Sequence, residues 1–304
     1  MDRTLARRLF GSIWIADAVL EWLPGTAASF AGLLRGAGQG APLPLRALIH
    51  LGGALFLPHP LLWNDLLGAA ELLIGLGIFL GRPLKAALTA SLLLSAAIWI
   101  FGQGLGNPAP LFSGQATDLN SMPLYLIISL LLWPKPLLRA GSARILLAAL
   151  WLTSAGLLWQ PAVHNGLRQL VLANASGQPG ALAALISWGG RQLPLGPLGA
   201  GGLSLLLAAL ATLLLGNWAP RATLWFSAAL CGLIWLFGQG LGGIPTGTAT
   251  DPNSMPLYLL LTWMVLLPRA PELSARGQGA STSGDPESRA GTLPARSAPH
   301  IGVG

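Results

Sequence analysis

FGQGLGNPAPLFSGQATDLNSMPLYL at residues 101–126 and FGQGLGGIPTGTATDPNSMPLYL at residues 237–259 are two versions of one sequence. Their recurrence decides how the chain is divided. The likeness extends upstream: ARRLFGSIWIADAVLEWLPG at 6–25 lines up with SARILLAALWLTSAGLLWQPA at 142–162, setting Trp14 over Trp151, Trp22 over Trp159 and Pro24 over Pro161. AAIWIFGQGLG at 96–106 then matches CGLIWLFGQGLG at 231–242. The repeating unit is about 135 residues long and occurs twice.

Composition places the chain among membrane proteins. Of its 304 residues 53% are hydrophobic and only 9% charged, with a mean hydropathy of +0.63, against roughly 25% charged residues in soluble domains. Apolar runs that approach the length needed for a bilayer core of about 30 Å recur along it. They predict an all-α, polytopic protein with spans near 8–24, 60–81, 84–102 and 123–138, then 144–160, 196–216, 221–238 and 256–268. These form two four-helix units, 1–139 and 140–268, and an even number of spans in each gives both units the same orientation. Between the first two spans of each unit lie outer segments, 25–59 and 162–195, apolar enough to form short helices in the interface. Residues 269–304, rich in Gly, Ser, Pro and charge, read as a disordered cytoplasmic tail. The charged start at Arg3, Arg7 and Arg8 resembles a signal peptide, but Asp17 and Glu21 interrupt its apolar core and no cleavage site follows, so the helix is expected to be retained.

Charge sets the orientation. With the N-terminus cytoplasmic, every one of the 17 basic residues except Arg35, Arg46, Arg168 and Arg191 falls on the inner side, as the positive-inside rule requires. The expected location is a bacterial inner membrane with both termini cytoplasmic. The net charge of +7 is accounted for by anchoring to anionic membrane lipid and calls for no nucleic-acid partner. A single cysteine, Cys231, leaves no disulfide or CxxC, and neither a Walker-type GxxxxGK[ST] nor HExxH is present.

The repeated motif admits two readings. In one, Gly102, Gly104 and Gly106, with Gly238, Gly240, Gly242 and Gly243 in the second copy, end a helix. Thr117–Ser121 and Thr250–Ser254 then cap the next, with Pro123 and Pro256 in its first turn. In the other, the two copies face each other as a paired ligand or partner site built from Gln103, Asp118, Asn120 and Tyr125 with Gln239, Asp251, Asn253 and Tyr258, beside Trp99 and Trp235. Tyr125 and Tyr258 are the chain's only tyrosines. Met122 and Met255 have no His or Cys beside them in the motif, so no metal site is expected.

A second feature separates the units. Asp17, Glu21, Asp65 and Glu71 fall in the first two spans, whereas the second unit has Ser154 and Leu158 opposite Asp17 and Glu21 and only small or apolar residues opposite the other two. Carboxyls within a membrane cost several kcal/mol unless protonated, paired or hydrated. Asp17 and Glu71 are therefore the candidate proton-handling residues, with Glu21 and Asp65 expected nearer water. Arg35, Arg46, His50 and His59 of the outer segment are available to pair with them.

The first unit also carries Gly11 and Trp14 as a G-x-x-W helix, then Glu71, Leu72, Gly75, Gly77 and Gly81 as E-L-x-x-G-x-G-x-x-x-G, closed by Arg82 and Lys85. This pattern resembles the DoxX-like family, which includes the small membrane subunit of archaeal thiosulfate:quinone oxidoreductase. The resemblance implies a four-helix membrane module tied to quinone-linked or sulfur metabolism, here in tandem. It implies a subunit or accessory protein of a quinone-linked redox system, with no covalently bound cofactor, a quinone as ligand, and a periplasmic or membrane redox partner supplying the electron chemistry. A proton-coupled small-molecule transporter and a purely structural or assembly protein are the alternatives the residues leave open.

Overall fold

The computed structural model describes residues 2–39, 41–106 and 116–266. The expected tail at 269–304 and the middle of the first motif copy, 107–115, lie outside the described residues. Within them the chain is all-α, without strands.

Helix α1, Arg3–Glu21, starts on Asp2, whose carboxylate accepts from the Thr4 N–H at 3.0 Å. Two short helices follow, α2 at Pro24–Gly36 and α3 at Leu43–Phe56, then the long α4 at Pro60–Leu80 and α5 at Leu84–Ala97. The last turn of α5 widens into a π-turn at Ile98–Gly102, and α6, Met122–Leu132, closes the first unit. The same order then recurs: α7 at Ala140–Leu157, α8 at Pro161–Ala173, α9 at Gly180–Gln192, α10 at Pro197–Gly216 and α11 at Pro220–Leu233. A π-turn at Ile234–Gly238 and α12 at Ser254–Leu266 complete it. Proline opens α2, α4, α8, α10 and α11, where its missing N–H costs nothing. Left-handed residues, Gly81 after α4 and Asn217 after α10, stop the long helices.

Within each unit the first helix packs on the fourth, α1 on α4 and α7 on α10. The α1–α4 crossing is close because Gly11 and Gly75 meet. A Cβ built on Gly11 falls 2.8 Å from the Gly75 carbonyl oxygen, and one built on Gly75 falls 2.9 Å from that of Gly11. Ala148 and Ala211, both fully buried, hold the equivalent places in the second unit. A single core runs through both units, with α6 and α12 against each other and buried on nearly every face. Trp14 lies against Tyr125 with ring centroids 4.6 Å apart, and Trp151 against Tyr258 at 4.2 Å.

Five helices are long and apolar enough to cross a membrane: Pro60–Leu80, Leu84–Gly102, Ala140–Leu157, Pro197–Gly216 and Pro220–Gly238. The protein is thus a multi-pass membrane protein by the length and composition of its helices. The other expected spans differ from the prediction. Helix α6 ends at Leu132 rather than near 138, stopped by the prolines of Trp133-Pro134-Lys135-Pro136. At 1.5 Å per residue, 11 and 13 residues give α6 and α12 about 16–20 Å. The end of α6 is met by protein: the Arg3 guanidinium donates to the carbonyls of Leu132, Trp133 and Pro134. Helix α1 is 19 residues long but carries Arg3, Arg7, Arg8, Asp17 and Glu21. Outward-facing leucines such as Leu73 and Leu93 form the apolar exterior.

Candidate functional site

The motif copies interlock. After each π-turn the backbone turns left-handed over three residues, Gly104, Leu105 and Gly106 at φ 52°, 58° and 80°, and Gly240, Leu241 and Gly242 at 54°, 57° and 71°. Glycine is required at the third of these positions, since a Cβ on Gly106 would meet the Leu119 backbone at 2.7 Å and one on Gly242 that of Pro252 at 2.7 Å. Asn120 and Asn253 adopt φ of 67° and 69°, and their N–H groups donate to Asp118 Oδ1 at 2.9 Å and Asp251 Oδ1 at 2.7 Å. The other carboxylate oxygens cross between units: Ser254 Oγ donates to Asp118 Oδ2 at 2.5 Å, and Ser121 Oγ to Asp251 Oδ2 at 2.6 Å. Gln103 and Gln239 donate to Ser121 and Ser254 at 3.2 and 2.7 Å. Ser121 therefore makes no side-chain cap to its own helix, contrary to the local-capping reading. Its hydroxyl is committed to the other unit.

More contacts repeat the exchange. Thr26 Oγ1 donates to the Ala249 carbonyl at 2.9 Å, and Gln160 Nε2 to that of Ala116 at 3.2 Å. The indoles of Trp99 and Trp235, expected to stack on a ligand or anchor at the interface, donate to the carbonyls of Leu119 and Pro252 at 3.2 and 2.8 Å. Burial pushes the Asp118 carboxyl above its ordinary pKa, and the hydrogen bonds from Ser254 and Asn120 pull only partly back. Burial likewise raises Asp251, opposed by Ser121 and Asn253 and reinforced by the Asp118 charge.

Beside this clasp lies a cavity of about 460 Å³ in the first unit. Its walls are apolar and aromatic, with Phe30, Phe56, Trp63 and Phe101 prominent. Its polar lining consists of Asp17, Glu21, Glu71, Gln103, Thr250 and Asp251. Among the described residues no Arg, Lys or His lines it. Asp17 is 1% exposed, Glu21 3% and Glu71 3%, and Asp17 Oδ1, Glu21 Oε2, Glu71 Oε2 and Gln103 Oε1 have no hydrogen-bond partner among the described residues. Asp17 Oδ2 accepts from the Tyr125 hydroxyl at 2.5 Å.

The structure thus sorts the residues singled out by sequence. Asp17, Glu71, Gln103 and Asp251 meet at the cavity. Glu21, expected near water, is buried with them, while Asp65, the other acid expected near water, is exposed on α4. Tyr125 and Tyr258 sit inside the bundle, and Asp118, Asn120, Gln239 and Asn253 belong to the clasp. Arg35, Arg46 and His50 do not reach the acids and gather in a groove of their own. Three contributors escaped sequence reading. Asn64, fully buried, donates to the Glu21 carbonyl at 2.7 Å, and Ser121 and Ser254 read as ordinary caps. Among the described residues no cluster of His, Cys, Asp and Glu is suited to a metal ion.

The second unit has no counterpart to this acid cluster. The buried positions of α4 (Asn64, Gly68, Glu71, Ile74, Gly75, Ile78) correspond in spacing to those of α10 (Ala200, Ser204, Leu207, Leu210, Ala211, Leu214). Leu207 therefore stands where Glu71 does, Ser154 where Asp17 does and Leu158 where Glu21 does. No family model, curated protein or solved structure matches this chain.

Proposed function

We propose that this chain is an eight-span membrane protein of two four-helix units in the same orientation, with both termini cytoplasmic, and that it serves a quinone-linked redox system as a subunit or accessory protein. In this reading α6 and α12 complete the count as short, protein-enclosed spans, and the cavity of the first unit is the ligand site. What carries the reading is the set of buried oxygens on Asp17, Glu21, Glu71 and Gln103, without a partner among the described residues, in the lining of an otherwise apolar and aromatic cavity.

Those residues fit a quinone head group. A carboxyl donates to a carbonyl when protonated and accepts from a hydroxyl when ionised, and the Gln103 amide oxygen accepts from a hydroxyl. A quinol bound there supplies two protons to the site and two electrons to a partner protein. Glu71 and Asp17 take the protons. Tyr125 holds the Asp17 carboxyl in place through Oδ2 and leaves Oδ1 without a partner among the described residues. The aromatic side chains exclude water and receive the ring and the start of its tail. Asp251 reaches the cavity from the second unit, so the site needs both halves. Asp118, Asn120, Gln239, Asn253 and Tyr258 then act as the brace.

The test is native mass spectrometry of protein released gently from its own membranes. A retained quinone that is lost on Glu71→Gln with Asp17→Asn, and kept on Asp118→Asn, supports the reading. Quinone retained equally by all three proteins, or absent even when quinone is added back in excess, defeats it. One observation favours proton-coupled transport of an organic cation instead, namely that no basic residue among the described ones lines the acid cavity. Acid-dependent uptake of a lipophilic amine by vesicles containing the protein, absent with Glu71→Gln, would select that function.

A further inference from the structure

The outer segment of the first unit folds into a hairpin of α2 and α3 that brings its basic residues together. Arg35 comes from the last turn of α2, and Arg46 and His50 lie one turn apart on α3. With Gln39 and Gly38 they line a groove of about 280 Å³, in which no Asp or Glu among the described residues takes part. Gly38 forms its floor: a Cβ there would stand 3.5 Å from Ile49 and 3.8 Å from the Arg46 stem. Arg46 Nη2 donates to the Ala41 carbonyl at 2.9 Å, which fixes its guanidinium across the turn and leaves the remaining N–H groups free to bind. Among the described residues the side chains of Arg35 and His50 make no hydrogen bond. Two like-charged guanidinium groups converging without a carboxylate favour an anion between them.

The same hairpin is greasy beside the groove. Leu43 is 76% exposed and Leu51 71%, and Leu33 and Leu55 are also exposed. Leu43 precedes Arg46 by three positions and Leu51 adjoins His50, so apolar and cationic surface share one edge of α3.

The second unit supplies an internal control. Gly52 lies against Phe101 as Gly189 lies against Phe237, which sets the register of the two hairpins. In that register Arg35, Gln39, Arg46 and His50 correspond to Leu172, Ser176, Ala183 and Ser187. The hairpin of α8 and α9 forms without any of the basic groups, so folding does not require them.

We propose that Arg35, Gln39, Arg46 and His50 form a binding site for a phosphate-bearing anion, and that its ligand is the head group of an anionic phospholipid whose chains lie along the exposed leucines. The paired guanidiniums hold the phosphate oxygens, Gln39 and the imidazole add neutral donors, and Leu43 and Leu51 take the first methylenes. A lipid seated there ties the hairpin to the membrane surface over the cavity wall that Phe30, Leu33 and Leu34 of α2 and Phe56 of α3 help to build.

The experiment uses the full chain in a neutral detergent, with short-chain phosphatidylglycerol, short-chain phosphatidylcholine and inorganic phosphate as separate probes. Adducts are read by native mass spectrometry and stabilisation by thermal unfolding. Phosphatidylglycerol should bind the wild type and lose about tenfold or more in affinity on Arg35→Gln with Arg46→Gln, each basic group near a lipid surface contributing about 1 kcal/mol. Arg35→Lys with Arg46→Lys should retain most of it. Phosphatidylcholine should not compete. Inorganic phosphate binding as tightly, with the same dependence on the two arginines, would keep the anion site and replace the lipid with a free phosphate. Equal phosphatidylglycerol binding by wild type and the Gln variant, or equal binding of the two lipids, overturns the proposal. The Gln variant should unfold at the wild-type temperature without lipid, because the second hairpin folds with uncharged residues at the same places.

Discussion

Ser254 Oγ donates to Asp118 Oδ2 at 2.5 Å although 136 residues separate them, and the symmetry-matched bond from Ser121 to Asp251 Oδ2 is 2.6 Å. Each motif copy therefore gives its aspartate to the other copy's helix start and receives one in return. This exchange explains why the sequence is written twice: each copy leaves one aspartate oxygen, Asp118 Oδ2 or Asp251 Oδ2, to a serine of the other copy.

Removing one hydroxyl tests the exchange. Ser254→Ala and Ser121→Ala each leave a buried carboxylate oxygen short of a donor and should cost about 1–3 kcal/mol. Thermal unfolding in detergent measures this, with Ser142→Ala at the exposed start of α7 as the control. Midpoints unchanged in both variants would show that the clasp carries no cohesion.

The clasp should also respond to pH. The folded protein raises Asp118 and Asp251 above 3.8, chiefly through burial, so it binds their protons more tightly than the unfolded chain does. Their protonation contributes stability that is fully present below about 3.8 and is lost as pH rises through the raised values. Unfolding midpoints of the wild type should fall relative to those of Asp118→Asn with Asp251→Asn as pH is raised from 4. Parallel profiles would contradict this.

The cavity can be filled without touching an acid. Ala97 lines it, and Ala97→Phe should abolish ligand retention while leaving the unfolding temperature near that of the wild type. Undiminished quinone in the purified variant would place the ligand elsewhere.

Tyr125→Phe and Tyr258→Phe make an informative pair. The first frees Asp17 from its only side-chain donor and should weaken ligand retention about tenfold, a hydrogen bond to a charged group being worth roughly 1.5–3 kcal/mol. The second faces Ser154's unit and should leave retention unchanged. Equal effects would remove the asymmetry on which the assignment of the site rests.

Helix packing gives a prediction independent of function. Gly11→Ala places a methyl 2.8 Å from the Gly75 oxygen and should destabilise by about 1–3 kcal/mol. Ala148→Gly, at the matching place in α7, should cost no more than about 1 kcal/mol. A tolerated Gly11→Ala in the unfolding assay would mean that α1 and α4 can separate freely.

The five long apolar helices, the short outer helices and the repeat were legible because each leaves a linear trace: apolar run length, proline starts and aligned tryptophans. Asp17 and Glu71 stood out as acids in apolar runs. The clasp left no such trace. Thr-Asp-x-Asn-Ser before Met-Pro has the spacing of a local cap, and only tertiary structure directs Ser121 to an aspartate of the other unit. Glu21 looked solvated at a helix end, yet α4 covers it through Asn64, whereas Asp65, one residue further along α4, points outward. The π-turns at Ile98–Gly102 and Ile234–Gly238 also eluded periodicity, since one additional residue in a turn does not alter an apolar run.

Asp251 belongs to both the clasp and the cavity. A ligand that changes its charge or its hydrogen bonding must change the affinity of the two halves for each other, and linkage makes the effect mutual. Cut between α6 and α7 and reassembled, the chain would become a two-component receptor in which dissociation of the halves reports ligand concentration, and in which any agent that tightens their union also tightens the grip on the ligand.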